Sequence, residues 1–197
     1  EEVLTAMVSR QPDGIVVMGL VESEQARNRL RKAGIPLVET WDISDDPLDM
    51  VIGCSHPQVG SALAEYFQRT GLQHVGIATG SDPRALQRRD GFVATWGRAV
   101  PTAVVPAPSN LELGRKALGE LLAQDPQLQA VVCSSDMLAP GILAEARARG
   151  PPVPHDLAVW GFGYADPRPT MPPTSNTVHV SLHSIGHLTR HPPLEGC

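Results

Sequence analysis

Apolar positions along the chain fall into two kinds of segment. Short runs carry apolar residues at nearly consecutive positions: Ile15 to Gly19, Ile35 to Glu39, Met50 to Cys54, His74 to Ala78, Ala103 to Val105, Ala130 to Cys133 and Leu157 to Trp160. Runs of this length read as strands covered on both faces, as in a parallel sheet. Between them lie longer stretches whose apolar residues recur three and four apart. Glu1 to Arg10 places Val3, Leu4, Met7 and Val8 on one face. Glu22 to Ala33, Pro57 to Thr70, Pro83 to Gly97, Leu111 to Ala123 and a segment reaching Arg149 follow the same rule and predict helices. Their ends carry the expected signals. Ser81 or Asp82 can cap a helix whose first position is Pro83. Ser55 is a candidate cap, and Ser134-Ser135-Asp136 reads as a cap for the helix that reaches Arg149. Gly34 and Gly71 are stops, and Asp125-Pro126 ends another helix.

Alternating strands and helices with short connections predict right-handed βαβ units and one or two doubly wound sheets. Leu157 to Trp160 ends in a Gly161-Phe162-Gly163 turn. The pattern decays after Tyr164, where Pro167, Pro169, Pro172 and Pro173 predict irregular chain. Thr177 to Val180 then reads as a short strand. Ser184 to Arg190 reads as a helix, stopped by Pro192 and Pro193.

Composition narrows the function. The 197 residues suffice for one or two domains. A net charge of -5 argues against gripping nucleic acid through the overall field. No apolar run approaches the roughly 20 residues of a membrane span, and no signal-peptide pattern opens the chain. Cys54, Cys133 and Cys197 are scattered without a CxxC pair, as expected of buried thiols in a reducing, cytoplasmic compartment. Aromatic residues are few, so the core is expected to rest on Val, Leu, Ile and Ala. Neither G-x-G-x-x-G nor G-x-x-x-x-G-K-[ST] occurs, so no nucleotide cofactor is expected.

Candidate chemistry gathers where strands end, the usual ligand position in open α/β sheets. The polar residues there are Asp42, Ser55, His56, Arg84, Arg88, Ser134, Ser135 and Asp136. Arg84 and Arg88 stand one helical turn apart and suit a carboxylate or an oxygen-rich polyol. Helix capping alone explains Ser55, Ser135 and Asp136, each taken singly. Asp42 has no helix directly behind it. Gly53-Cys54-Ser55-His56-Pro57 partly matches a nucleophile elbow, but Pro57 stands where the second Gly belongs. A triad of Ser55, Asp136 and His155 or His179 makes a serine hydrolase the minor alternative. His179, His183, His187 and His191 recur every four residues. The first sits in a β-like run, Pro192 cuts the far end, and no carboxylate or Cys joins at ligand spacing. They read as surface histidines, and no metal site is expected.

The order of Asp13-Gly14-Ile15-Val16-Val17, Gly34-Ile35-Pro36-Leu37-Val38, Gly60 to Phe67 and Gly71 to Ile77 resembles the LacI/GalR family of bacterial repressors. Arg88-Arg89-Asp90-Gly91-Phe92, Ala130 to Gly141 and Val153 to Phe162 continue the likeness. Ser55-His56 and Gly161-Phe162-Gly163 look most like the gluconate-repressor subgroup. The resemblance implies a non-enzymatic α/β, periplasmic-binding-protein-like effector domain. Two doubly wound parallel-sheet subdomains would close on a ligand in the cleft between them. Residues 1–54 would form a truncated amino-terminal subdomain, 55–179 the carboxyl-terminal one, and 180–197 a return segment to the first.

By the same resemblance, Arg88 matches the effector-gripping Arg of R-x-x-G, with Gly91 as its Gly, and Arg84 a polar contact one turn earlier. Asp42 matches an acid that meets sugar hydroxyls. Ser135 stands where many members carry Asn, and Asp136 matches the family Asp. With Ser55 and Phe162 these are the expected ligand-binding residues. Gly163 stands where many members carry a sugar-binding Asp. Its absence beside two arginines shifts the expected effector toward a sugar acid such as gluconate. Operator contact would need the family's helix-turn-helix, absent from this chain, in a full-length homodimer. The first amino-lobe strand is also absent. The alternative within the fold is a stand-alone sugar-binding protein, which would need a secretion signal.

Overall fold

The computed structural model describes residues 2–150, 157–163 and 176–190. In chain order these form α1 (Glu2–Ser9), β1 (Ile15–Met18), α2 (Glu24–Ala33), β2 (Leu37–Thr40), β3 (Met50–Ile52), α3 (His56–Arg69), β4 (Val75–Gly80) and α4 (Pro83–Trp96). There follow β5 (Thr102–Val105), α5 (Leu111–Gln124), β6 (Ala130–Cys133), α6 (Ala139–Arg149), β7 (Ala158–Gly163), β8 (Asn176–His179) and α7 (Leu182–Arg190). Two compact units result. One runs to Ser55 and resumes at Ser181; the other spans His56–Val180.

The first unit holds a parallel sheet in the order β1-β2-β3. Ile15, Leu30 and Leu37 form its core, with Leu4, Val8, Val17 and Ile35 packed against them. Ser23 caps α2 by accepting from Ala26 N, and left-handed Gly34 (φ 63°) closes it. β2 starts at Leu37 rather than the expected Ile35, because Pro36 brings no N–H to the ladder. Its carbonyl instead accepts from Ile15 N at 2.8 Å. β3 stops at Ile52, two residues short of Cys54. There Gly53 lies so close to Asp42 that an added Cβ would stand 2.2 Å from the Asp42 carbonyl oxygen. That contact accounts for the glycine that resembled part of a nucleophile elbow. α7 rests against β2 and β3.

Glu39 is fully buried in β2, and both its oxygens are used. Oε1 accepts from Val21 N at 2.8 Å and Oε2 from Leu48 N at 2.9 Å. One carboxylate therefore fastens the segments on either side of β2, and two backbone N–H groups replace its lost hydration.

The second unit is a five-stranded, all-parallel sheet in the order β5-β4-β6-β7-β8. Every residue of β4 and β6 is buried, as consecutive apolar runs require. Leu118, Leu121, Leu138 and Ile142 of the α5–α6 side pack on one face with Val131 and Val159. The α3–α4 side covers the other with Leu63, Phe67, Phe92 and Trp96 over Val75, Ile77 and Val132. The aliphatic core expected from composition holds only on the first face. On the second, Phe67 stands edge-on to Trp160 (centroids 5.6 Å apart, 87°), and Trp96 stacks on Phe92 (5.6 Å, 27°). Few aromatics suffice because they are concentrated in one layer.

α3 and α4 approach backbone to backbone. A Cβ on Gly91 would stand 2.1 Å from the Pro57 carbonyl oxygen, and one on Gly60 would stand 2.0 Å from that of Arg88. Glycine at both positions sets how near Arg88 comes to the start of α3.

Two expectations about local structure are corrected. Gly161-Phe162-Gly163 is not a turn: β7 continues through it and pairs with β8 from Trp160 to Gly163. Nor do Ser134, Ser135 and Asp136 cap α6. That helix starts at Ala139 behind an αR Leu138 with no side-chain cap, because the polar side chains before it are engaged elsewhere.

Candidate effector site at the switch of the second sheet

The chain reverses its direction across the sheet between β4 and β6, so their carboxyl ends flank a topological switch point. Gly80 N donates across it to Ser134 Oγ at 2.9 Å, and Ser134 N donates back to the Ala78 carbonyl at 2.9 Å. Asp82 caps α4 by accepting from Ala85 N at 3.1 Å, and Pro83 fills the first turn. Ser81, the other candidate cap, instead accepts from Ala107 N at 3.2 Å.

α4 carries Arg88 into this switch. Nη1 donates to His56 Nδ1 at 2.8 Å, and Nη2 donates to the Ser134 carbonyl at 2.8 Å. The guanidinium lies over the Phe162 ring, with Cζ 3.9 Å from its centroid. His56, 1% exposed, meets the same ring edge-on at 6.0 Å. Four elements thus fix one cation: α3, α4, the turn after β6, and β7. The gap beneath Arg88, lined by Leu63, Ile77, Phe92 and Val132, leaves about 20 Å³ for water centres. That admits one water and no sugar.

Asp136 lies over β7. Its N donates to the Phe162 carbonyl at 2.9 Å, and Oδ1 accepts from Thr177 Oγ1 at 2.7 Å. Cβ atoms on Gly161 and Gly163 would stand 2.2 Å and 2.6 Å from its carboxylate oxygens. The carboxylate therefore fills the space that a side chain at 163 would need. Burial, reinforced by Asp136, pushes the Cys133 thiol far up, so it stays protonated and poorly nucleophilic.

Of the residues singled out in sequence, Arg88, Phe162 and Asp136 come together. Arg84 stands half-buried one turn before Arg88. Ser135 Oγ accepts from Met137 N at 3.1 Å, within its own turn. Asp42 and Ser55 belong to the first unit. Asp42, 8% exposed, accepts from Ile43 N at 2.9 Å. His56 and Ser134 stood among the strand-end polar residues but not among the expected ligand contacts; their tie to Arg88 is long-range. His179 is exposed on β8 while His183 and His187 lie on α7, so the four-residue repeat spans two elements. His155 and His191 lie outside the described residues. Among the described residues no group of three or more His, Cys, Asp or Glu could hold a metal, and no helix is long and apolar enough to cross a membrane.

An all-parallel sheet with a polar cluster at its switch point is the architecture of a small-molecule binding domain. The family model described as "Periplasmic binding protein domain" matches residues 1–166, and the chain belongs to that family. The relatives and solved structures that it resembles are transcriptional regulators, LacI-family proteins among them. It is 30% identical to the HTH-type transcriptional regulator GntR of Pseudomonas aeruginosa over 94% of this chain and 56% of that protein. The chain thus spans little more than half the length of that curated relative. A LacI family transcriptional regulator from Silicibacter pomeroyi superposes with a TM-score of 0.88 at 26% identity, covering 95% of this chain and 73% of that one. The transcription regulator GntR from Chromobacterium violaceum superposes at 0.85 and 29% identity, covering 94% and 70%.

Proposed function

We propose that this chain senses a sugar acid of the gluconate type, and that Arg88 binds its carboxylate. The observation that carries the reading is the guanidinium held by His56, the Ser134 carbonyl and the Phe162 ring at the switch point. A carboxylate is a stronger acceptor than an imidazole nitrogen or a carbonyl, and a fixed guanidinium fork matches it in two parallel bonds. The position of Asp136 over Gly163 supports an acid over a neutral sugar, because it leaves no room for a second carboxylate at 163. Arg84, Ser135 and Asp136 are proposed to meet hydroxyls. In the whole regulator, a cytoplasmic homodimer, effector binding alters operator affinity through a helix-turn-helix outside these 197 residues; no catalysis is involved.

Thermal-shift and calorimetric screening test the reading. D-gluconate and related aldonic acids should raise the melting temperature, and glucose should not. Arg88→Ala removes the fork, worth about 1.5–3 kcal/mol per charge-assisted bond, and should abolish the shift. Equal shifts from acid and neutral sugar, or unchanged gluconate affinity in Arg88→Ala, would overturn it.

A further inference from the structure

β5 forms one border of the second sheet and pairs with β4 alone. Ile77 N of β4 donates to the Pro101 carbonyl at 2.8 Å, which sets the alternation along the strand. Pro101, Ala103 and Val105 turn their backbone groups toward β4, so Thr102 and Val104 turn theirs outward. Such an outward row is a template on which another strand can pair. Here one side chain takes both outward groups of Thr102. Thr102 N donates to Gln124 Oε1 at 3.1 Å, and the Thr102 carbonyl accepts from Gln124 Nε2 at 3.2 Å. The carboxamide thus stands where a neighbouring strand would, with one acceptor and one donor. Nε2 also donates to the Glu120 carbonyl at 3.2 Å, which holds the amide in the last turn of α5. Just before the strand, the Val100 carbonyl accepts from Thr102 Oγ1 at 2.9 Å; just after it, Pro106 has no N–H to offer. Among the described residues, the outward backbone groups of Val104 have no such guard, and its side chain is 49% exposed.

We propose that Gln124 closes the β5 edge to a second copy of this chain, and that losing its amide turns that edge into a self-association surface. The strand's own register favours a second copy. Two β5 strands related by a twofold axis pair antiparallel with Ala103 opposite Ala103, which sets Thr102 of each copy opposite Val104 of the other. Each of the four backbone bonds in that pairing has a Thr102 group at one end and a Val104 group at the other. Gln124 therefore withholds the whole ladder, although it covers only one of the two outward residues. β5 carries no charge that would oppose the pairing, and the exposed Val104 side chain would be covered by Thr102 of the other copy. The proposal does not depend on what Arg88 binds, since Gln124 and Thr102 take no part in that site.

Sedimentation velocity of the full chain and of Gln124→Ala, over a wide range of concentration, tests this. Gln124→Ala should form a species of at least twice the parent's mass at concentrations where the parent's own mass is constant. Adding Val104→Lys should return the double variant to the parent's mass, because the twofold brings two ammonium groups onto the same face of the paired strands. Hydrogen exchange followed by NMR on the unsubstituted chain needs no variant. After correction for intrinsic rates, Thr102 N–H should exchange at least about tenfold more slowly than Val104 N–H, because only the first is held by Gln124. A folded Gln124→Ala that keeps the parent's mass overturns the proposal. So does association that Val104→Lys leaves untouched, since the copies then meet elsewhere. Equal exchange at Thr102 and Val104 overturns it as well, and decides the matter even if Gln124→Ala fails to fold.

Discussion

Replacing Gly91 by Ala should destabilise the second unit, although Ala is the better helix former. At an open helix position the exchange gains about 1 kcal/mol. At position 91 the new Cβ would stand 2.1 Å from the Pro57 carbonyl oxygen, against an ordinary contact of 3.4–4 Å. The obstacle is backbone, which cannot swing aside, so α3 and α4 must part by about an ångström, and close-packed interiors absorb such shifts poorly. Overpacking of this kind costs about 1–3 kcal/mol, and with a rigid obstacle the upper end applies. Set against the helix gain, the net loss is about 2 kcal/mol, or about 4–8 °C in Tm for a chain of this size. Gly119→Ala in α5 is the control. Its nearest obstacle is the flexible end of the Arg149 side chain at 3.2 Å, so that variant should be neutral or more stable by up to about 1 kcal/mol. Urea unfolding followed by tryptophan fluorescence is the assay, since Trp96 stacks on Phe92 in the layer that α3 and α4 cover. If Gly91→Ala is as stable as Gly119→Ala, the backbone contact between α3 and α4 does not exist as described.

Three further outcomes are expected. Glu39→Gln leaves one buried backbone N–H facing an amide instead of a carboxylate oxygen, and should lower the urea-derived stability of the first unit by about 1–3 kcal/mol; an unchanged midpoint would remove Glu39 as the fastener of its two segments. The hydrogen bond from His74 Nδ1 at 2.8 Å, helped by Gln127 N, holds the Asp125 carboxyl below its ordinary 3.8. A depressed folded-state value means this stability is present above that ordinary value and is lost as pH falls through the folded one. Asp125→Asn should therefore flatten the fall in urea midpoint below pH 4, and parallel acid limbs for variant and parent would count against the pairing. Gly163→Ala puts a Cβ 2.6 Å from Asp136 Oδ2 at φ 156° and should cost about 1–3 kcal/mol. Asp136→Ala should recover part of that loss in a double-mutant cycle, whereas strictly additive effects would mean the two residues do not touch.

What sequence reading could reach follows the range of each interaction. β4 and β6 were legible because a strand buried on both faces announces itself by consecutive apolar residues. The caps at Asp82 and Gly34 were legible because they act within a few residues. Ser134-Ser135-Asp136 misled for the opposite reason. Their side chains are chemically suited to capping, yet Ser134 serves Gly80 54 residues away and Asp136 serves Thr177 41 residues away. Gly161 and Gly163 read as a turn until Asp136 explained why small residues belong inside β7. In the candidate site, Arg88 stood out by its helix position and by family likeness. Its tie to His56 spans 32 residues and depends on the approach that Gly60 and Gly91 permit, which no local pattern expresses. The buried Glu39 left no local sign, since a carboxylate at a strand end usually faces water.

The carboxylate of Asp136 over Gly163 also constrains how this site can change. In this chain an acid introduced at 163 meets Asp136 as both a steric obstacle and a like charge, so the Asp136 side chain must turn away to admit it. Loss of Asp136 first, in turn, frees Thr177 of β8 from the bond that joins it to the turn after β6. Admitting an acid at 163 of this chain therefore either loosens β8, by turning Asp136 off Thr177, or crowds β7. That coupling ties positions 136 and 163 to the edge of the sheet, so a library that varies 136, 163 and 177 together reaches packings that single substitutions do not.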